Sequence, residues 1–290
     1  MAELTRSLKD FLSSLFKLTR FGNLVIIGLA QYFTAGYLVG VQTLDDSRLF
    51  FLSVSTILIA AAGYIINDYY DVKIDYINKP DRVVIGKGIP RRYAILFHVM
   101  LSGIGILLGI YLWWRTGAVR IAAINVMSVF LLWWYSNSLK RMPFVGNLTV
   151  AFLTGLSILV VDALYRTGNA LIMIYASFAF FMTLVREIIK DIEDLKGDNT
   201  FGCKTLPIVL GIRKTKFIIY LILAIFSITV VVLNHFYKAL PLTYYLVFLF
   251  APLLWMLYRL IRADMKKDFS ILSTFCKVIM LLGILSMAFL

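Results

Sequence analysis

Apolar stretches of about 20 residues alternate with short charged ones along nearly the whole chain. A run of that length with few charges can cross a bilayer as a helix, because every backbone amide is then satisfied inside its own segment. The pattern predicts nine spans, at roughly 21–42, 49–70, 93–114, 118–138, 144–163, 171–190, 214–234, 240–262 and 270–290. No break in composition marks a second, soluble domain. The expectation is therefore an all-α membrane protein, with residues 1–290 forming one integral membrane domain. Ahead of the first span, Leu4, Leu8, Phe11, Leu12, Leu15 and Phe16 recur at helical spacing among Arg6, Lys9, Asp10 and Lys17. That spacing predicts an amphipathic helix over residues 1–20 on the membrane surface; a basic leader that only sets topology fits the same residues. The interleaved charges exclude a cleavable signal.

Composition narrows the class and charge gives the orientation. The chain is 61% hydrophobic, against roughly 45–50% for a soluble domain. Its net charge of +13 would suggest nucleic acid in a soluble protein, but here the basic residues lie between spans, which points to membrane topology and anionic ligands and away from nucleic acid. Of 29 lysines and arginines, 23 fall in one alternating set of segments: the N-terminus, 67–92, 139–143, 186–216 and 259–269. By the positive-inside rule this set is cytoplasmic, in a multi-pass protein of the cell membrane whose two termini lie on opposite sides. Cys203 and Cys276 have no metal-ligand spacing and are expected to be structural, and the isolated His98 and His235 to be interfacial residues and not ligands.

Two acidic clusters stand out on the cytoplasmic side. In the first, Asn67, Asp71 and Asp75 recur at i, i+4 and i+8, with Asp68 beside them. In the second, Asp191, Asp194 and Asp198 recur at i, i+3 and i+7, and Gly197 is expected to end the helix. Like charges so close at membrane helix ends repel, and a hard divalent cation relieves the repulsion. Mg2+ is commonly held by carboxylates together with substrate phosphates. Two such clusters predict two ions gripping one diphosphate. Basic residues nearby suit phosphate oxygens: Lys79, Arg82 and Lys87 after the first cluster, Lys140 after the fourth span, and Lys190 and Lys204 around the second. Arg91, Arg92, Arg213 and Lys214 are most simply topology determinants. Tyr69, Tyr70 and Tyr135 are placed either to face a developing carbocation or to anchor the interface.

The stretch NDYYDVKIDYINKPDR at 67–82 resembles the NDxxDxxxD signature of the UbiA superfamily of intramembrane prenyltransferases. The second cluster, followed by GCKTLPI and Gly211, is similar to the second Asp-rich motif of that family. Arg20 with Asn23 resembles its N-terminal Arg-x-x-Asn, and Tyr135 to Arg141 with Asn147 its fourth-loop signature. The resemblance implies a nine-helix UbiA-type bundle with a central cavity, Mg2+ dependence, and transfer of a prenyl chain from a polyprenyl diphosphate. It implies metal and diphosphate contacts at Asn67, Asp68, Asp71, Asp75, Asp191, Asp194 and Asp198, with Asn67, Asp71, Asp194 and Asp198 central to catalysis. It further implies substrate contacts at Arg20, Asn23, Lys79, Arg82, Tyr135, Lys140 and Lys204. The form REIIKDIEDLKGD with TLPIVLG is most similar to the digeranylgeranylglyceryl phosphate synthase branch, which implies geranylgeranyl diphosphate as donor and geranylgeranylglyceryl phosphate as a lipid-like acceptor. After Arg82 the chain departs from the usual Pro-x-x-Ser-Gly and reads Val83-Val84-Ile85-Gly86-Lys87.

Two other functions compete. An aromatic acceptor of the 4-hydroxybenzoate or naphthoate type would use the same diphosphate chemistry. A cation-coupled transporter would also carry acids in a membrane, but these acids cluster at span ends instead of mid-membrane. No base is unambiguous; Asp162 and Glu187 are the nominal candidates, and Asp162 falls on the outer side.

Overall fold

The computed structural model describes residues 11–237, 244 and 246–290, and among these residues there are helices and turns but no strand. The predicted N-terminal helix is described only from residue 11; Leu4, Leu8 and their charged neighbours lie outside the described residues. The helix α1 covers 11–18 and α2 covers Phe21–Phe33, continued by a π-helical stretch at Thr34–Val39. The helices α3 (Ser47–Asn78), α4 (Arg91–Thr116), α5 (Val119–Asn137), α6 (Val145–Tyr165) and α7 (Ala170–Glu193) follow. Two short helices, α8 (Leu195–Thr200) and α9 (Leu206–Leu210), precede α10 (Ile212–Tyr237), α11 (Ala251–Ile261) and α12 (Lys266–Ser286).

Eight helices among the described residues are long and apolar enough to cross a membrane. They match eight of the nine predicted spans. Within the span expected at 240–262 the described residues hold a shorter apolar helix, Val247–Ile261, which starts in a π-helical stretch at Leu246–Phe250 and continues as α11; residues 238–243 and 245 lie outside the described residues. The chain forms two compact units: one holds residues up to Leu29 with Ser47–Leu139, the other Ala30–Asp46 with Lys140–Leu290.

In the first unit α3 packs along α4 and α5, and α4 packs on α5. Lipid tails are as apolar as leucine, so small residues and buried polar groups hold such helices together. Asn125 of α5 donates to Ser55 Oγ (2.6 Å) and to Gly105 O (3.0 Å), and Ser55 donates to the same carbonyl (2.8 Å). The close approach depends on glycine: a Cβ on Gly109 would lie 2.3 Å from Asn125 Nδ2. Gly109→Ala is therefore expected to destabilise the unit by about 1–3 kcal/mol. Thermal unfolding in detergent checks this, and an unchanged midpoint would show that Asn125 can move aside without loss.

In the second unit α7 is the central helix, packed by α6, α10 and α12. Asn169 caps its start, accepting from Leu171 N (2.9 Å) and donating to Leu38 O (2.7 Å). Buried Ile172, Ala179, Met182, Val185, Ile189 and Ile192 then follow at helical spacing, which seats α7 deeply and fixes the polar residues at its other end.

Candidate active site

The first acid cluster lies on a helix that runs eight residues beyond the predicted span end. Backbone bonding in α3 does not stop where the apolar run stops at Tyr70, so Asn67, Asp68, Asp71 and Asp75 all lie on regular helix ending at Asn78. Asn67, Asp71 and Asp75 thus keep the one-face spacing read from the sequence. Each is half-buried. The amide oxygen Oδ1 of Asn67 is buried and has no hydrogen-bond partner among the described residues. Such an oxygen normally costs stability, and at a binding site it marks a ligand position.

Asp68 belongs to a different arrangement, with an ion pair to Arg20 at 2.8 Å. Arg20 also lies over the Tyr64 ring, 4.9 Å from its centroid, and Asn23 donates to the Tyr64 hydroxyl at 3.3 Å. Tyr64 and Asp68 stand one turn apart on α3, so a single guanidinium can reach both. Arg20 itself adopts the left-handed conformation (φ 51°), which closes α1 and allows α2 to start at Phe21. The Arg-x-x-Asn pair thus fastens the N-terminal segment to the acid-bearing helix.

The segment after α3 folds back tightly. Pro80–Arg82 form one 3-10 turn, and Ile85 and Ile89 close a small loop by a single bridge. Lys79 immediately precedes the turn, its amide bonded to Asp75 O (2.8 Å). The side chain of Arg82 lies outside what is described. Lys87, at the position that departs from the usual loop, donates to Pro80 O (3.2 Å) and lies over the Tyr76 ring (5.2 Å). Its charge therefore pins the loop. Arg91 covers the Tyr69 ring at 4.6 Å, and Tyr69 meets Tyr70 edge-on. That leaves Tyr69 with a cation already on its π face.

The second cluster sits at the end of α7. The helix breaks at Asp194 (φ −96°, ψ 5°), not at Gly197 as expected, and Gly197 lies inside α8. Helical hydrogen bonds run on both sides of the break, from Asp194 N to Lys190 O (2.8 Å) and from Asp198 N to Asp194 O (3.2 Å). Asp194 ends α7 and precedes α8, and its side chain does not cap the new helix. Asn147, in the first turn of α6, donates to Asp191 Oδ2 at 2.9 Å. The loop after the cluster is tied to the one before α6 through Lys204 N and Arg141 O (2.8 Å). Lys140 lies in the 3-10 turn Leu139–Arg141, and Tyr135 is half-buried near the end of α5.

One constellation was not singled out from the sequence. Glu187 is buried and accepts from Arg186 (2.5 Å) and Lys190 (3.2 Å). The signal was present, since three charges inside a predicted span are costly unless used. Asp162, by contrast, caps its own loop, accepting from Thr167 Oγ1 (2.6 Å) and Gly168 N (2.9 Å). Cys203 and Cys276 are buried thiols, and Cys276 Sγ meets Met256 Sδ at 3.6 Å.

Among the described residues no three histidine, cysteine or acidic side chains come together as a self-sufficient metal site. The donors available are carboxylates and one amide oxygen, hard ligands of the type Mg2+ takes when substrate phosphates complete its shell. The Asn67 oxygen and this donor set therefore fit Mg2+.

Comparison with known proteins gives the family and the fold. The profile of the UbiA prenyltransferase family matches residues 29–281. A protein from Sulfurisphaera tokodaii named digeranylgeranylglyceryl phosphate synthase is 34% identical over 254 residues, covering 87% of this chain and 88% of that one. A solved chain described under "Structural and mechanistic insights into the biosynthesis of Digeranylgeranylglyceryl phosphate synthase in membranes" shares the fold, with a TM-score of 0.70, 24% identity, and 96% and 97% of the two chains covered. A UbiA homolog from Archaeoglobus fulgidus bound to DMAPP and Mg2+ superposes with a TM-score of 0.58 at 15% identity, covering 96% of this chain and 100% of that one.

Proposed function

This chain belongs to the UbiA prenyltransferase family, and from that premise we propose that it transfers a geranylgeranyl chain from its diphosphate to geranylgeranylglyceryl phosphate. It is a multi-pass integral membrane enzyme, and membership of a prenyltransferase family sets the transporter reading aside. The single observation that carries the acceptor is the 34% identity to a digeranylgeranylglyceryl phosphate synthase over 88% of that protein's length. The family match runs through both compact units, which supports one catalytic domain. The excess of basic residues at the acid-bearing ends supports a cytoplasmic N-terminus and active-site loops.

In this reading Asn67, Asp71 and Asp75 on α3, and Asp191, Asp194 and Asp198 at the end of α7, serve one magnesium diphosphate. Bound Mg2+, two ions in this account, would neutralise the diphosphate and stabilise the charge that grows on it as it leaves. The chain's own residues do the rest. Asp68 holds Arg20 in place beside Tyr64, and Asn147 fixes one oxygen of Asp191 so that the other is free to turn toward the ligand. Lys79, Arg82, Lys140 and Lys204 supply cations for phosphate oxygens, and Asn23 and Tyr135 border the substrate. In the reaction the acceptor's hydroxyl oxygen forms a bond to C1 of the prenyl chain. The bond from C1 to the diphosphate oxygen breaks, its electron pair leaves with diphosphate, and the hydroxyl proton is released. An apolar surrounding keeps water from the allylic cation meanwhile.

Mass spectrometry of the products tests this. Purified protein is incubated with geranylgeranyl diphosphate, Mg2+ and either geranylgeranylglyceryl phosphate or 4-hydroxybenzoate. The expected product is the doubly prenylated glycerol phosphate; prenylated 4-hydroxybenzoate alone would transfer the chain to the aromatic-acceptor class.

A further inference from the structure

Arg186, Glu187 and Lys190 form a charged trio within a membrane-spanning helix, in the interior of the second unit. Their side chains are 14%, 9% and 23% exposed. Ionisable residues so placed are expensive and are retained for use. Both ion pairs run within α7, between neighbours in sequence and across one turn, so they orient the two cations along a single helix. Two cations share one carboxylate in the trio, and the carboxyl of Asp191 lies close enough to interact with Lys190 and Glu187. The Nε–H of Arg186 is buried and has no hydrogen-bond partner among the described residues. A buried, unmet guanidinium donor is arranged for an anionic oxygen.

Position along α7 indicates which anion. Lys190 stands one turn before Asp194 and Arg186 two turns before it, about 6 and 12 Å along the axis. The diphosphate head group belongs with Asp194 and Asp198, so an anion at Arg186 and Lys190 is a second one, further into the span. In the acceptor proposed above, the attacking hydroxyl and the phosphate ester sit on neighbouring glycerol carbons. Bringing that hydroxyl to the reacting carbon therefore carries the phosphate to within about one helical turn of the leaving diphosphate. We infer that Arg186 and Lys190, held by Glu187, bind the phosphate of a glycerol phosphate ether acceptor, and so select a phosphorylated lipid over a neutral one. This inference rests on the proposed acceptor class. Glu187 is a positioning residue in it, keeping two flexible cations from collapsing onto Asp191 or Asp194 when the acceptor is absent.

The test is steady-state kinetics on the full chain in detergent, varying each substrate separately, with geranylgeranylglyceryl phosphate and its dephosphorylated alcohol as the two acceptors. Lys190→Gln is expected to raise KM for the phosphorylated acceptor about ten- to a hundredfold, in line with losing a charge-assisted hydrogen bond. KM for geranylgeranyl diphosphate should stay within about twofold, and the preference for the phosphorylated acceptor should shrink by the same factor. Arg186→Gln with Glu187→Gln keeps the trio's charge balance and should give the same split, while Lys190→Arg should retain most of the preference. Equal rises in both KM values, or an unchanged preference in every variant, would overturn the site. A wild-type enzyme inactive with the phosphorylated lipid but active on an aromatic acceptor would instead overturn the acceptor class, and the site with it. Activity on the phosphorylated lipid that is indifferent to both variants would overturn the site alone.

Discussion

Asp71→Asn and Asp198→Asn each lower prenyl transfer by on the order of 10²–10³-fold, the loss expected when one preorganised charge is removed from a developing oxyanion. Asparagine matches the shape of aspartate and can still accept a hydrogen bond, so the substitution removes charge with little change of packing. Both residues are half-buried, and neither belongs to the buried apolar core of its unit. The variants should therefore purify with wild-type helicity and unfolding midpoint, which separates a chemical effect from a folding one. Asp68→Asn should behave differently. Its partner is Arg20 at 2.8 Å, so the loss falls on the anchoring of the N-terminal segment, with a smaller effect on turnover. Radiolabelled geranylgeranyl diphosphate and product extraction measure all three. Full activity in Asp71→Asn or Asp198→Asn would remove that residue from the mechanism.

Chelation is the second large effect. Treating the protein with EDTA and passing it through a desalting column should bring transfer to background, and adding Mg2+ should restore it. Calcium should fail to restore it. Ca2+ prefers ligands at about 2.3–2.6 Å and a larger shell, whereas Mg2+ demands about 2.0–2.1 Å and octahedral geometry. The reason to expect dependence lies in the donors: carboxylates in two clusters and the unpartnered amide oxygen of Asn67, with no nitrogen or sulfur ligand set among the described residues. Retained activity after chelation would mean that the lysines and arginines neutralise the diphosphate unaided.

The spans were legible because a bilayer imposes a length and an apolarity that few other environments demand. Seven of the nine emerge within four residues of their expected limits, and α3 overruns its limit by eight. The errors have local causes. Hydropathy falls at Tyr70, but α3 continues to Asn78, since backbone hydrogen bonds are indifferent to side-chain polarity. Within the eighth span the described part begins as a π-helical stretch at Leu246–Phe250 before α11, a local change of winding that hydropathy does not register. Gly197 suggested a helix end, yet the break comes three residues earlier at Asp194, where a turn forms before α8. Periodicity could place Asn67, Asp71 and Asp75 on one face because those positions are close in sequence. It could not reveal that Asp68 meets Arg20, or that Asn147 meets Asp191, since those pairs are separated by 48 and 44 residues and depend on helix packing. The trio at Arg186, Glu187 and Lys190 was visible as charges interrupting an apolar span, but only the structure shows two cations meeting on one buried carboxylate.

Calorimetric titration with an unreactive geranylgeranyl thiolodiphosphate in the presence of Mg2+ most directly tests whether two acid clusters serve one head group. The account predicts that Asp71→Asn and Asp198→Asn, on helices far apart in sequence, each weaken binding of this single ligand at least about tenfold, as loss of a metal contact does. Wild-type affinity in either variant would contradict it.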